Sequence, residues 1–370
     1  MLWNAPDDIL ISLSPGLSRW LNLVAKKGEG ASVPLLAFLA RMLHLDYEEK
    51  GVHKDYVTHA LNHPLGRTVD AVIKMWYRQG LQDDQSLTSP YREWFTEICD
   101  TSNIAFRNGR VHLAVHTMTL FRVDEDWCKS RFLPLFDWNV NELEATAVWQ
   151  GFLWSPRIHH PLLEAFKQSF LACSHHYTEL GDFGSQYARF LTYVALDSAD
   201  VFSEGDLRLA FRALPPHAIA IVADTLAESL KSAGPQKEQH WSNRVSPFLK
   251  SVWPQGNEYA TKDIVESLAE LCIVSGKSFP EAFDQLRHWL KPIKNLHVIC
   301  VLLVKSELCS RHPAEALQFL AKIVDLEADW PPQELEQCLN EIVSASPELL
   351  DAPSVRQIRE YLHRMRGRLA

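Results

Sequence analysis

The stretch PAEALQFLAKIVDLEADWPPQELEQCLNEIVSASPELLDAPSVRQIREYLHRMRGRLA, residues 313–370, decides the fold. Its apolar positions Leu317, Leu320 and Val324 lie on one face of a helix with 3.6 residues per turn. After Pro332 the stripe is Leu335, Cys338/Leu339 and Ile342/Val343; after Pro353 it is Val355, Ile358, Tyr361/Leu362, Met365 and Leu369. Proline suits the first helical position, where its missing N–H costs nothing, and Glu315 in a first turn complements the helix dipole. Pro331-Pro332 and Ser346-Pro347 punctuate the gaps, because the residue before a proline resists the helical conformation.

Working back from this stretch, helix starts fall at Thr261, Pro280, Lys294, Pro313, Pro332 and Pro353. Two neighbouring helices then take up roughly 33 to 40 residues, the length of one unit in stacked helical-hairpin arrays. The run Val298 to Val304 is apolar all round and predicts a helix buried between neighbours; as a strand it would need partners that the sequence does not offer. The fold expected is all-α, a right-handed α-solenoid of HEAT/TPR-like helical hairpins.

Upstream, residues 6–27 read as a short helix, a Ser14-Pro15 break, and an amphipathic helix with Leu17, Trp20, Leu21 and Val24 inward. Ser32 caps the next helix, with Leu35, Phe38, Leu39 and Met42 as its stripe. A helix from Tyr56 leads into Asn62-His63-Pro64 and resumes through Val69, Val72, Ile73, Trp76 and Tyr77. Gln79 to Pro90 is polar and reads as a long loop. The Lys231–Glu238 stretch, charged and broken by Gly234-Pro235, divides an N-terminal array, 1–232, from a C-terminal one, 239–370, with a continuous superhelix as the variant.

Composition narrows the class. With 370 residues, 46% of them hydrophobic, the chain can bury an ample core. A net charge of −9 argues against nucleic acid as the partner of the whole surface. Seven scattered cysteines, none in a C-x-x-C pair, fit reduced thiols of a cytoplasmic protein. Pro6, Asp7, Asp8 and Pro15 interrupt any apolar leader, and no stretch reaches the ~18 apolar residues that cross a bilayer.

Chemistry is sparse. Among sixteen histidines, His159-His160 with Cys173, His175 and His176 invite a metal-dependent hydrolase or nuclease reading. Adjacent histidines on a helix point about 100° apart, so neither pair makes two ligands from a regular helix. There is no His-Glu-x-x-His and no Gly-x-Ser-x-Gly, and Lys27-Gly28-Glu29-Gly30-Ala31-Ser32 lacks the spacing of a phosphate loop. Asp124, Glu125 and Asp126 read as a helix N-terminus. No catalytic residue, metal ligand or cofactor is assigned. His-Pro recurs at helix starts, and around one of them Asn62, His63 and Arg67 are candidate groove residues. On the last helix Arg364, Arg366 and Arg368 are candidates for an acidic partner or, alternatively, a nucleic-acid backbone.

Trp241 to Trp253, continuing through Phe279-Pro280-Glu281-Ala282 to Leu290 and Pro292, and the Leu61–Arg67 block together resemble the helical regions of large bacterial antiviral-defence proteins that follow sirtuin-like or NTPase modules. The resemblance implies a sensing or scaffolding part with an effector elsewhere, and supplies no catalytic residues. The function expected is a non-enzymatic helical scaffold that binds a protein partner, an effector module or a phage protein.

Overall fold

Helices begin where the sequence supplies a cap or a proline. The computed structural model describes residues 5–27, 33–49, 51–198, 200–256, 259, 261–293 and 296–369, with side chains as far as Arg366. It is all-helical: among the described residues no strand forms, and the one isolated bridge joins Ile293 to Val324. The chain divides into two compact units, Met1–Tyr187 and Ala188–Ala370. No helix among the described residues is long and apolar enough to cross a membrane.

The first unit contains α1 (Asp7–Lys27), α2 (Val33–Leu43), α3 (Tyr56–Asn62), α4 (Pro64–Tyr77), α5 (Tyr91–Ile98), α6 (Arg107–Val115), α7 (Thr117–Val123), the single turn α8 (Glu125–Trp127), α9 (Glu142–Leu153), α10 (His160–Ala165), α11 (Lys167–Ala172) and the start of α12 (Phe183–Asp197). Side-chain caps fix several of these. Asp55 accepts from the Thr58 amide at 2.8 Å, Asn141 from Glu144 at 3.2 Å, and Asp124 from Trp127 at 3.0 Å. The Asp124 cap matches the N-terminus read there. The expected Ser14-Pro15 break does not occur. Pro15 has no N–H for the Ile11 carbonyl, and the Ser14 hydroxyl supplies that hydrogen bond instead at 2.7 Å, so α1 runs through. Trp20, expected inward, is exposed.

Helix α6 is the hub of this unit: it packs against α3, α4, α5, α7 and α9, and every residue from Arg107 to Ala114 is buried. A Cβ on Gly151 of α9 would lie 2.5 Å from the Val111 carbonyl oxygen, so glycine is what lets α9 close on α6. The Glu144 carboxylate of α9 sits between two guanidinium groups of α6. Arg107 Nε donates to Oε1 at 2.7 Å, Arg110 Nε donates to Oε2 at 2.8 Å, and Arg110 Nη2 donates to Oε1 at 3.0 Å. Arg110 Nη1 also donates to the Ile98 and Asp100 carbonyls, each at 2.9 Å, and Arg107 Nη1 to the Gly51 carbonyl. No charge in this triad is left unpaired. The Gln79–Pro90 loop is tied down as well, by Asp84 and Ser86 amides on the Arg122 and Val123 carbonyls at 2.8 and 2.9 Å.

The second unit contains the rest of α12, then α13 (Glu204–Ala213), α14 (Pro216–Ser232), α15 (Lys237–His240), α16 (Ser246–Ser251), α17 (Lys262–Val274), α18 (Phe279–Leu286), α19 (His297–Lys305), α20 (Leu308–Arg311), α21 (Pro313–Ile323), α22 (Gln333–Ala345) and α23 (Pro353–Leu369). Helices α17, α18, α21, α22 and α23 start within one residue of the positions read from the sequence. The expected Ser32 cap, the Gly28–Ser32 stretch and the Lys294 start lie outside the described residues. Packing contacts form two rows, α14–α17–α19–α22 and α18–α21–α23; from α17 onward the helices alternate between them, except α20, which packs on α22 and α21. Helix α19, apolar all round, buries Ile299, Cys300 and Leu303 but leaves Val298 exposed, because neighbours cover one side of it only. The Lys231–Glu238 stretch lies within this unit as the end of α14, a 3-10 turn and the start of α15.

Glu144→Gln leaves two buried guanidinium groups without a counter-charge and should cost about 3–5 kcal/mol of stability, read as a lower urea midpoint. Burial, reinforced by His112, pushes His116 down to about 4. An unfolded histidine titrates near 6.5, so between roughly pH 6.5 and 4 the unfolded chain binds the extra proton and stability falls as pH falls. His116→Gln should therefore show a smaller drop in urea midpoint from pH 7 to pH 4.5 than the parent chain.

Candidate functional site

The most concentrated chemistry in the first unit gathers around one carboxylate. Glu49 lies in the non-helical segment before α3, and its side chain is only 5% exposed. Asn108 of α6 donates from Nδ2 to Oε2 at 2.6 Å, and the Gly51 amide donates to Oε1 at 3.2 Å. From the solvent side come two histidines. His53 Nε2 is 2.7 Å from Oε1, and His59 Nε2 of α3 is 3.0 Å from Oε2. Their rings stack with centroids 3.5 Å apart and planes 16° from parallel. Their side chains are 22% and 31% exposed, so the site opens to water on the histidine side and is closed behind the carboxylate.

A third histidine stands behind these two. His63 caps α4, its Nδ1 accepting the Leu65 amide at 3.2 Å, and its Nε2 lies 3.9 Å from Glu49 Oε2. Accepting through Nδ1 leaves the ring proton on Nε2, which hydrogen-bonds the Glu48 backbone and lies beyond hydrogen-bond reach of Glu49. Burial pushes its pKa down, against the pull of Glu49. For Glu49 itself burial acts upward, but the hydrogen bonds from His53, Asn108, His59 and Gly51 outweigh it and hold the carboxyl at about 2. The carboxylate is therefore an anion over the whole physiological range.

Of the residues singled out in the sequence, the structure separates His63 from Asn62 and Arg67. His63 turns inward to Glu49, whereas Arg67 donates to Asn62 Oδ1 at 3.1 Å and borders α1, where Asn22 donates to the Arg67 carbonyl at 2.7 Å. Arg364 donates to the Leu326 carbonyl at 2.5 Å, Arg366 pairs with Glu336, and the Arg368 side chain lies outside the described residues. Those two arginines tie α23 to its own unit.

Among the described residues, two groups bring three metal-capable atoms within 4.8 Å of one another: Glu49–His53–His59 and Glu142–His176–Glu179. Neither includes His159, His160, Cys173 or His175. Cys173 is fully buried with its thiol on the Ser169 carbonyl, and burial raises its pKa far above the usual thiol value. The His176 ring stacks on Trp138 with centroids 4.2 Å apart, and both carboxylates beside it are exposed. Glu49, His53 and His59 escaped the sequence reading because two of the three lie outside any helix. The available signal was His59 and His63 four residues apart, with His53 and Glu49 just upstream.

No protein-family model, no curated protein and no solved structure matches this chain.

Proposed function

We propose that the chain is a non-enzymatic α-helical scaffold that binds a protein partner, and that the outer face of α1 is where it binds. The observation that carries this is a second apolar face on that helix, turned away from α4. Ile9, Leu13, Trp20 and Leu23 fall on one face and are 45%, 47%, 44% and 57% exposed. The opposite face, turned to α4, carries Leu10, Ser14, Ser18, Leu21 and Ala25. A helix normally buries its larger apolar side chains; here a second row of four is about half exposed, with Trp20 edge-on to Phe38 of α2, and an exposed apolar row of this kind marks an interaction surface. Arg19, Lys26 and Lys27, with Arg67 near Arg19, place positive charge along the C-terminal half of α1, and Asp7 and Asp8 place negative charge at its start. The partner that fits is an amphipathic helix with apolar side chains at helical spacing and acidic residues where it meets the last turns of α1.

The two alternating rows of α14–α17–α19–α22 and α18–α21–α23 support the finer architecture proposed with it, a right-handed α-solenoid of HEAT/TPR-like hairpins. A sensing part in bacterial antiviral defence, with an effector module or a phage protein as the partner, belongs to the same proposal. It rests on the resemblance carried by Trp241–Trp253 and Leu61–Arg67.

A photo-crosslinking amino acid placed at Leu23 in the expressed chain should yield one defined protein adduct, and the same group placed at Glu327 should not. Leu13→Asp should weaken capture of that protein about 100-fold while the melting temperature stays within about 2 °C. Equal labelling from both positions, or an adduct that survives Leu13→Asp, overturns the assignment.

A further inference from the structure

We infer that Glu49, His53 and His59 form a binding site for a divalent transition-metal ion of the zinc class, with an open position on the solvent side. Three atoms of the right kind, one carboxylate oxygen and two imidazole Nε2, already lie within 4.8 Å of one another. Two histidines and a carboxylate with one open position are an established donor set for zinc.

The surroundings are those of a built site. Asn108 and the Gly51 amide hold the carboxylate from behind at 2.6 and 3.2 Å, which fixes its orientation before any ion arrives. Arg107 holds the Gly51 carbonyl, so the loop carrying Glu49 and His53 is anchored to the buried Glu144 triad. His59 comes from the middle of α3, a helix packed on α6 and α9. The two imidazole rings are the groups that must move, His53 past Tyr56 and His59 past His63. As they stand, their nitrogens point at separate oxygens of Glu49 from near-parallel rings. An ion at ~2.0–2.1 Å from each nitrogen requires the rings to splay until both lone pairs converge, with each ring proton on Nδ1.

His63 is excluded as a ligand by its own hydrogen bond. Its Nδ1 accepts from Leu65, so Nε2 carries the proton and has no lone pair to offer. That proton goes to the Glu48 backbone, 3.9 Å separating Nε2 from Glu49 Oε2. The Glu142–His176–Glu179 group lacks comparable support: its carboxylates are exposed and its histidine is engaged with Trp138.

The test uses the full chain, stripped with chelator and titrated with Co2+ and then Zn2+. The expected result is one equivalent of Co2+ giving the visible d–d absorption of a four- or five-coordinate ion, displaced by Zn2+. His53→Gln/His59→Gln should lower the affinity at least about 100-fold and His176→Gln should leave it unchanged, with folding of each followed by circular dichroism. Asn108→Ala, which keeps all three ligands, should lower it about 10–100-fold and stands in if the double variant fails to fold. An unliganded parent chain at millimolar metal, binding that survives in the double variant, or, where that variant does not fold, in Asn108→Ala at full strength, or loss on His176→Gln alone overturns the inference.

Discussion

The carboxylate of Glu144, held between Arg107 and Arg110, is the interaction on which the first unit depends. Placing three charges in a dry interior is costly, and the cost is offset only when each charge is paired and its remaining protons are used. Here they are used for topology. Arg110 gathers the carbonyls of Ile98 and Asp100 at the end of α5, and Arg107 takes the carbonyl of Gly51. Two connecting segments without a regular structure of their own are thereby fastened to α6. Apolar packing could fill the same volume, but it could not specify which carbonyl lies where.

That fastening is what makes the Glu49 centre possible. Glu49 and His53 lie on the segment whose Gly51 carbonyl Arg107 holds, and Asn108, the next residue of α6, reaches Glu49 directly. One helix turn therefore supplies both the anchor of the loop and the donor that orients its carboxylate. The buried triad and the half-open centre form a continuous polar seam along α6, with two guanidinium groups sharing one carboxylate in the triad and an anion facing histidines at the mouth. Gly51 links the two directly, its carbonyl accepting from Arg107 and its amide donating to the Glu49 carboxylate.

Much of the fold was legible in the sequence because its helices announce themselves chemically. Pro313 and Pro353 begin α21 and α23 where expected, since a proline at the first helical position forfeits no hydrogen bond. The same rule misleads at Pro15, where Ser14 takes over the missing donor role, an exchange between neighbours that spacing alone does not reveal. Trp20 was misplaced for a related reason. Periodicity finds an apolar face but cannot say which of two faces the rest of the chain will cover, and α1 has two. Of the polar residues, His63 was visible as part of a His-Pro helix start. Its partners Glu49 and His53 were not, because a carboxylate and an imidazole in an irregular segment carry no periodic signature until α6 fixes where that segment lies.

The surface of α1 and the Glu49 centre make opposite demands on the same few helices. The first exposes apolar area that water penalises, at roughly 25 cal/mol per Å2; the second buries a charge that an apolar interior penalises. Neither is required to fold α1, α3, α4 and α6 together, because that core is already supplied by residues such as Leu10, Leu21, Val69, Val72 and Leu113. A chain under pressure only for stability would exchange Trp20 for a polar residue and Glu49 for an apolar one. Local rules are broken at two places within one well-packed unit, each in the direction that favours an external partner. On the proposed reading, the partner of α1 covers four side chains spread over about four turns. On the same reading, the partner of Glu49 is small, cationic and reached from the side where His53 and His59 meet the solvent.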